Sequence, residues 1–70
     1  MIGDEELASR FTYHPPKGDQ AERYGHIRDK ARVLALYLDE HVPDSREKSL
    51  AITHLEEAVM WANAAIARRE

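Results

Sequence analysis

The sequence predicts an all-α protein in which a short N-terminal helix and a loop are followed by a long antiparallel two-helix hairpin. Two proline-containing breaks divide the 70 residues into three pieces. In both longer pieces apolar residues recur at spacings of three and four, the period of a helix with one apolar face. Both also open with an Asp-x-x-Glu start signal, and no alternation typical of strands competes. We therefore expect residues 1–70 to form a single helical-hairpin domain.

The first helix is predicted over about residues 4–10. It ends before a break in which Pro15 and Pro16 remove two backbone donors and push His14 towards extended geometry. Residues 1–18 are accordingly expected to form an N-terminal helix followed by a basic loop.

The second helix is predicted over residues 19–41, with Asp19 as its cap and Glu22 three residues later. Its apolar stripe consists of Tyr24, Ile27, Ala31, Leu34 and Leu38. The break that follows, His41 to Pro43, has the length of a connection between antiparallel helices.

The third helix is predicted over residues 44–69, with Asp44 and Glu47 repeating the same cap pattern. Its apolar stripe consists of Ile52, Leu55, Val59, Ala62 and Ile66. The two stripes have the same rhythm, so we expect them to face each other along the hairpin.

The hairpin carries more apolar residues than two helices can cover. Those pointing away from the stripes are Val33, Leu36, Tyr37, Leu50, Met60, Trp61 and Ala64. A chain this short buries only about 60% of its unfolded surface, and it has no cysteine for a disulfide. We therefore expect one compact domain completed by copies of itself, a homo-oligomer. The alternative is that Trp61 folds back over its own hairpin.

Charge and hydropathy exclude several classes of function. The net charge of −3 argues against generic nucleic-acid binding, and the segment from Asp44 is not basic enough for a DNA-reading helix. The longest nearly unbroken apolar run, Ala58 to Ala67, is about half of what a bilayer span requires. The acidic stretch Asp4–Glu6 stands where a secretory signal would be basic. We expect a cytoplasmic protein with no DNA and no membrane partner.

The sequence offers little for catalysis or metal binding. Ser45 and Ser49 lie in a capped helix start, without the strained turn that exposes a nucleophilic serine. The four histidines fall in different elements, and the pair formed by His54 and Glu57 has no second set of ligands to complete a site. We expect no catalytic residue, no metal, no cofactor and no enzymatic activity.

Recognition of a small anion is better supported. Six of the ten bases lie within residues 10–32 against three acids, which gives that segment a net charge of +3. A local basic segment in an acidic protein suits a small anion better than a long polyanion.

The candidate binding residues follow from this segment. Phe11 and Tyr13 are rings that can stack on a nucleobase, and Lys17 precedes a helix N-terminus, where phosphates bind well. Arg28 and Lys30 follow within the second helix and can grip phosphate oxygens. The alternative is that the rings cap the hairpin core and the bases are solvated.

Three stretches carry a family resemblance: FTYHPPK at residues 11–17, IRDKAR at 27–32 and PDSREKSLAITHLEEAVMWANAAIAR at 43–68. They are similar to the hairpin domain of the phage anti-CBASS cyclic-oligonucleotide sponges, which a Thoeris anti-defence sponge shares. The likeness covers about residues 10–69.

This resemblance implies a non-catalytic sponge that binds cyclic di- and, in some members, trinucleotides, for example dinucleotides of the 3′,3′-cyclic GMP-AMP type. By sequestering them in the infected bacterial cell it would block CBASS signalling. It also implies a homohexamer, with dinucleotides held between neighbouring protomers and trinucleotides in separate pockets near a three-fold axis.

The resemblance also assigns roles to individual residues. Tyr13 matches the loop aromatic that stacks on a base, and either Arg28 or Lys30 matches the basic position early in the long helix. A trinucleotide pocket would use the arginine near the chain end, Arg69, with Arg68 as the rival. A different class of function is a structural or regulatory hairpin that binds another protein through its apolar outer face, namely Leu36, Tyr37, Met60 and Trp61.

Overall fold

A computed structural model describes all of residues 1–70 and confirms the all-α prediction. It contains three helices and no strands: α1 (Asp4–Phe11), α2 (Gln20–His41) and α3 (Arg46–Arg69). The helices α2 and α3 lie side by side. They run in opposite directions, since Gln20 at the start of α2 reaches Ile66 near the end of α3. None of the three combines the length and the apolar character needed to cross a bilayer.

The loop between α1 and α2 contains the one residue whose conformation requires glycine. Gly18 has φ +57°, the left-handed region that side-chain-bearing residues adopt at a cost of about 1–2 kcal/mol. It turns the chain from the extended stretch around Pro15 and Pro16 into the first turn of α2.

The N-cap predicted for α3, Asp44, is wrong by one residue. Ser45 is the N-cap, and its Oγ accepts a hydrogen bond from the Lys48 backbone N–H at 3.1 Å. The Asp44 carboxylate instead accepts from Lys48 Nζ at 2.7 Å. Both residue types are good caps, and the ion pair with Lys48 leaves the capping position to Ser45.

The cap predicted for α2 is also absent as a hydrogen bond. Asp19 occupies the N-cap position without a side-chain bond to the helix start. Its carboxylate pairs instead with Arg23 Nε one turn later, at 3.2 Å. In both long helices the aspartate that was predicted to cap the helix thus forms an ion pair with a basic residue four positions later and makes no capping hydrogen bond.

Replacing Ser45 with alanine is expected to lower the free energy of unfolding by about 1 kcal/mol, because the Lys48 N–H loses its cap. Thermal unfolding followed by circular dichroism measures this. Ser49→Ala is the matched control, since Ser49 is exposed and its side chain has no hydrogen bond. Equal melting temperatures for the two variants would contradict the assignment of the cap.

The helices pack along half-buried rather than buried stripes. All five apolar residues of the stripe predicted for α3 are half-buried, as expected. On α2, Leu34 is 47% exposed, and Ala35 takes its place in the contact face. Both positions fit a helical spacing, and the small side chains of Ala31 and Ala35 let the two backbones approach closely.

The chain does not form a compact domain by itself. No apolar residue is buried, and the molecule is only 13 Å thick along its shortest axis, a single layer of helices. Its radius of gyration is 15.4 Å, whereas a compact domain of this length has about 11 Å. Trp61 is 64% exposed, so the alternative that it folds back over the hairpin is wrong.

Polar contacts hold the open end of the hairpin. Gln20 is 3% exposed, and its amide donates to the Ile66 carbonyl oxygen at 3.4 Å and to Glu70 Oε1 at 3.3 Å. Arg23 donates to both carboxylate oxygens of Glu70. Lys17 Nζ donates to the main-chain oxygen of Glu70 at 2.9 Å. We call Lys17, Gln20, Arg23 and Glu70 the Glu70 clamp.

The closed end of the hairpin has its own polar contact. Lys48 is 7% exposed, and its Nζ lies 2.9 Å from an Asp39 carboxylate oxygen and 2.7 Å from the Asp39 carbonyl oxygen. The Asp44 carboxylate completes the group. With the Glu70 clamp, this cluster fixes the register of α2 against α3 at both ends.

Candidate functional site

The end of α1 and the last turns of α3 form an open groove of about 460 Å³. It is lined by Arg10, Phe11, Trp61, Ala64, Ala65, Arg68 and Arg69, and we call it the arginine groove. Its volume lies in the range of about 300–1,000 Å³ that is usual for small-molecule sites.

The helical period explains why α3 supplies most of this lining. Trp61 and Arg68 are seven residues apart, which is two helical turns, and so they lie on one face. Ala64 and Ala65 lie between them, and their small side chains leave the space that the groove occupies. Phe11, the last residue of α1, adds a ring that is 85% exposed.

The two aromatic rings of the groove are available to a ligand. The stacked aromatic pair of the chain is Tyr37 with His41, so Phe11 and Trp61 do not cover each other. Trp61 makes one long hydrogen bond, from Nε1 to Glu57 Oε1 at 3.4 Å. Both rings can therefore accept a flat partner.

The three guanidinium groups of the groove differ in their pairing. Arg69 donates to both carboxylate oxygens of Glu6, at 3.0 and 2.6 Å. Arg10 Nε lies 3.5 Å from the same carboxylate. Arg68 is half-buried and has no ion-pair or hydrogen-bond partner in the chain. Arg68 is thus the cation most directly available to an anionic ligand.

Ion pairs depress the pKa of two carboxyl groups near the end of α3. The pKa of Glu6 falls from 4.5 to about 2, chiefly through its hydrogen bonds with Arg69. The pKa of Glu70 falls from 4.5 to about 2, chiefly through Arg23 and then through Gln20.

These shifts predict a loss of structure in acid. A folded-state pKa below the unfolded value means that each pair stabilises the fold above about pH 4.5 and loses this effect as the pH falls towards about 2. Circular dichroism between pH 6 and pH 2 is expected to show helix loss in this window. In a Glu6→Gln, Glu70→Gln variant the pH-dependent step should shrink. An identical acid transition in both proteins would contradict the role of these pairs.

A second groove, of about 530 Å³, lies along the hairpin. Its lining residues are Arg28, Ala31, Arg32, Ala35, Ile52, Leu55, Glu56, Val59, Met60 and Asn63. Arg28 and Arg32 are one turn apart and have no ion-pair partner in the chain. The Oδ1 atom of Asn63 is buried without a hydrogen-bond partner. We call this the hairpin groove.

The structure brings together some of the residues predicted from the sequence and separates others. Phe11 and Arg69 both line the arginine groove, whereas Arg28 lines the hairpin groove. Tyr13, which is 80% exposed, and Lys30 line neither groove. Lys17 lies in the Glu70 clamp, where its Nζ holds the end of α3.

The predicted binding residues omit Arg10 and Trp61 and name Arg68 only as the rival of Arg69, although all three line the arginine groove. Trp61 and Arg68 share a face of α3, so a two-turn spacing of ring and cation was the available signal, but Trp61 was interpreted as part of an apolar outer face. Arg10 reaches the groove because α1 docks beside the end of α3. No local pattern reports that contact.

No group of three histidine, aspartate or glutamate side chains lies close enough together to hold a metal ion. His14 Nε2 and His41 Nδ1 lie within hydrogen-bond distance of main-chain oxygens, those of Ser9 and Tyr37, at 2.7 and 2.9 Å. These two histidines therefore have structural partners in their own segments.

A family model described as Acb2/Tad1, hairpin domain, matches residues 3–67, which is nearly the whole chain. No curated protein and no solved structure matches the chain.

Proposed function

Since the chain belongs to the Acb2/Tad1 hairpin-domain family of anti-CBASS and anti-Thoeris sponges, we propose that it sequesters cyclic di- and trinucleotide messengers, including those of the 3′,3′-cyclic GMP-AMP type. The protein acts in the cytoplasm of an infected bacterial cell and blocks CBASS signalling. The observation that carries this proposal is the arginine groove.

The chemistry of the arginine groove matches that of a cyclic oligonucleotide. Such a ligand alternates phosphodiester groups with flat bases. Guanidinium groups such as Arg68 bind phosphate oxygens through paired hydrogen bonds. Rings such as Phe11 and Trp61 stack on bases, each contributing about 1–3 kcal/mol. The groove offers both kinds of contact, although the chain as a whole has a net charge of −3.

The same groove lacks the groups that would cleave its ligand. Its lining consists of arginine, alanine, phenylalanine and tryptophan, none of which serves as a nucleophile or as a general base near neutral pH. The Glu6 carboxylate, which pairs with Arg69 of the lining, has a pKa of about 2 and is a weak base. This composition supports tight binding without turnover.

A single chain covers only one side of such a ligand. Small-molecule sites bury about 70–90% of the ligand surface, and the groove is open towards solvent. The outer apolar face of α2, formed by Val33, Leu36 and Tyr37, is 49–65% exposed. We propose that copies of the chain cover it, as a homohexamer with ligands in the seams. Tyr13 and Lys30, which line neither groove, then reach a ligand held by a neighbouring copy.

Recovery of the ligand tests the sponge function. Saturating the protein with 3′,3′-cyclic GMP-AMP is expected to raise its melting temperature, and heating the complex should release the intact ligand for chromatography. Linear or mononucleotide products would identify a nuclease and contradict the proposal.

A second candidate function is docking of another protein on the apolar outer face. The observation that favours it is the exposure of Leu36, Tyr37, Met60 and Trp61, which ranges from 49% to 64%. A protein of this kind would remain a monomer or dimer at micromolar concentration, and no cyclic nucleotide would stabilise it.

A further inference from the structure

The chain supplies its own anion to the arginine groove. Arg69 lines that groove, yet both of its terminal nitrogens already donate to the carboxylate of Glu6, at 3.0 and 2.6 Å. A phosphate accepts from the same two N–H groups in the same forked arrangement. Glu6 and a ligand phosphate therefore compete for one guanidinium.

Besides this pair, the side-chain contact that holds α1 is the one between His14 Nε2 and the Ser9 carbonyl oxygen at its C-terminal half. None of its residues is buried, and Leu7 and Phe11 are 39% and 85% exposed. The pairing between Glu6 and Arg69 is the one side-chain hydrogen bond or ion pair that joins α1 to α3. A helix of eight residues is marginal in water without such support.

An extended segment adjoins the end of α1 that lies in the groove. Phe11 is the last helical residue, and Thr12 is extended, with φ −106° and ψ 138°. If the ion pair between Glu6 and Arg69 breaks, the first turns of α1 can move away from α3 while Phe11 stays beside the groove.

We propose that α1 is a ligand-released latch, in which Glu6 occupies Arg69 until a ligand phosphate displaces it and frees the first turns of the helix. This inference builds on the proposed function and names Glu6 as a residue that lowers affinity. The latch keeps Arg69 paired while the groove is empty. Ligand binding is then accompanied by a rearrangement of α1.

Glu6→Gln tests the latch, with Glu5→Gln as the matched control. Glu5 is exposed on the same helix and has no ion-pair partner. The probes are 3′,3′-cyclic GMP-AMP and cyclic tri-AMP, with calorimetric Kd as the readout. Glu6→Gln is expected to bind at least one probe about 2- to 5-fold more tightly than wild type, the range that an exposed ion pair predicts. Glu5→Gln should bind like wild type.

Hydrogen exchange of the wild-type protein gives a readout that does not depend on a variant. Backbone amides of residues 7–10, beginning with the Leu7 N–H that donates to the Gly3 carbonyl oxygen, are expected to exchange faster when the ligand is bound. Weaker or unchanged binding by Glu6→Gln, or stronger protection of α1 in the complex, would overturn the latch and leave the sponge function standing. Failure of the wild type to bind either probe would instead overturn the proposed function, and the latch with it.

Discussion

Replacing Phe11 and Trp61 together with alanine is expected to weaken the binding of cyclic oligonucleotides by about 100-fold or more. Each ring offers an exposed face in the arginine groove. Stacking on a base contributes about 1–3 kcal/mol per ring, which corresponds to roughly 5- to 150-fold in affinity. The single variants should each show an intermediate loss in calorimetric titration.

His54→Ala is the control for these variants. His54 is an exposed polar residue of α3 that lines neither groove. Its replacement should leave the affinity within about twofold of wild type. If the double variant also bound like wild type, the arginine groove would not be the ligand site. Tyr13→Ala distinguishes contacts made within one chain from contacts made by a neighbouring copy. It should weaken dinucleotide binding only if a neighbouring copy supplies the Tyr13 ring to the ligand.

Placing charges on the outer face of α2 is expected to dissociate the assembly. In the variant Val33→Glu, Leu36→Glu, two side chains that are 65% and 49% exposed in the single chain become carboxylates. Burying an unpaired charge at an interface costs several kcal/mol. The protein concentration needed for assembly should therefore rise by about 100-fold or more, which light scattering over a dilution series measures.

The control for charge itself is Ser49→Glu, which adds a carboxylate at an exposed position of α3. This variant should form an assembly of the same mass as that of the wild type. A Val33→Glu, Leu36→Glu protein of unchanged mass would show that copies of the chain do not meet on this face. Dissociation of the assembly should be accompanied by weaker ligand binding, because the groove of one chain covers only one side of the ligand.

The sequence predicted the helices well because their signals are local. Apolar spacing and the two proline breaks report on neighbouring residues, and they gave three helices with ends near those observed. The start of α3 was displaced because Asp44 and Ser45 are both good caps, and only the ion pair of Asp44 with Lys48 decides between them. Periodicity likewise could not decide whether Leu34 or Ala35 faces α3, since they lie three and four residues after Ala31 and both spacings are helical.

The site was less predictable because it depends on contacts between distant segments. Glu6 and Arg69 are 63 residues apart, and no pattern along the chain announces that they pair. That contact docks α1 beside α3, and Arg10 lines the same groove as Arg68. Lys17 is predicted to bind phosphate, and no local pattern indicates that its amine holds the end of α3. Residues on one helix face, such as Trp61 and Arg68, were within reach of sequence reasoning.

The most direct test of the central claim is a calorimetric titration of the wild-type protein with cyclic di- and trinucleotides, combined with native mass measurement of the assembly. We expect a multimer of identical subunits, consistent with a hexamer, that binds at least one cyclic nucleotide and holds it uncleaved. A protein that remains a single chain at micromolar concentration and releases no heat with any cyclic di- or trinucleotide would contradict it.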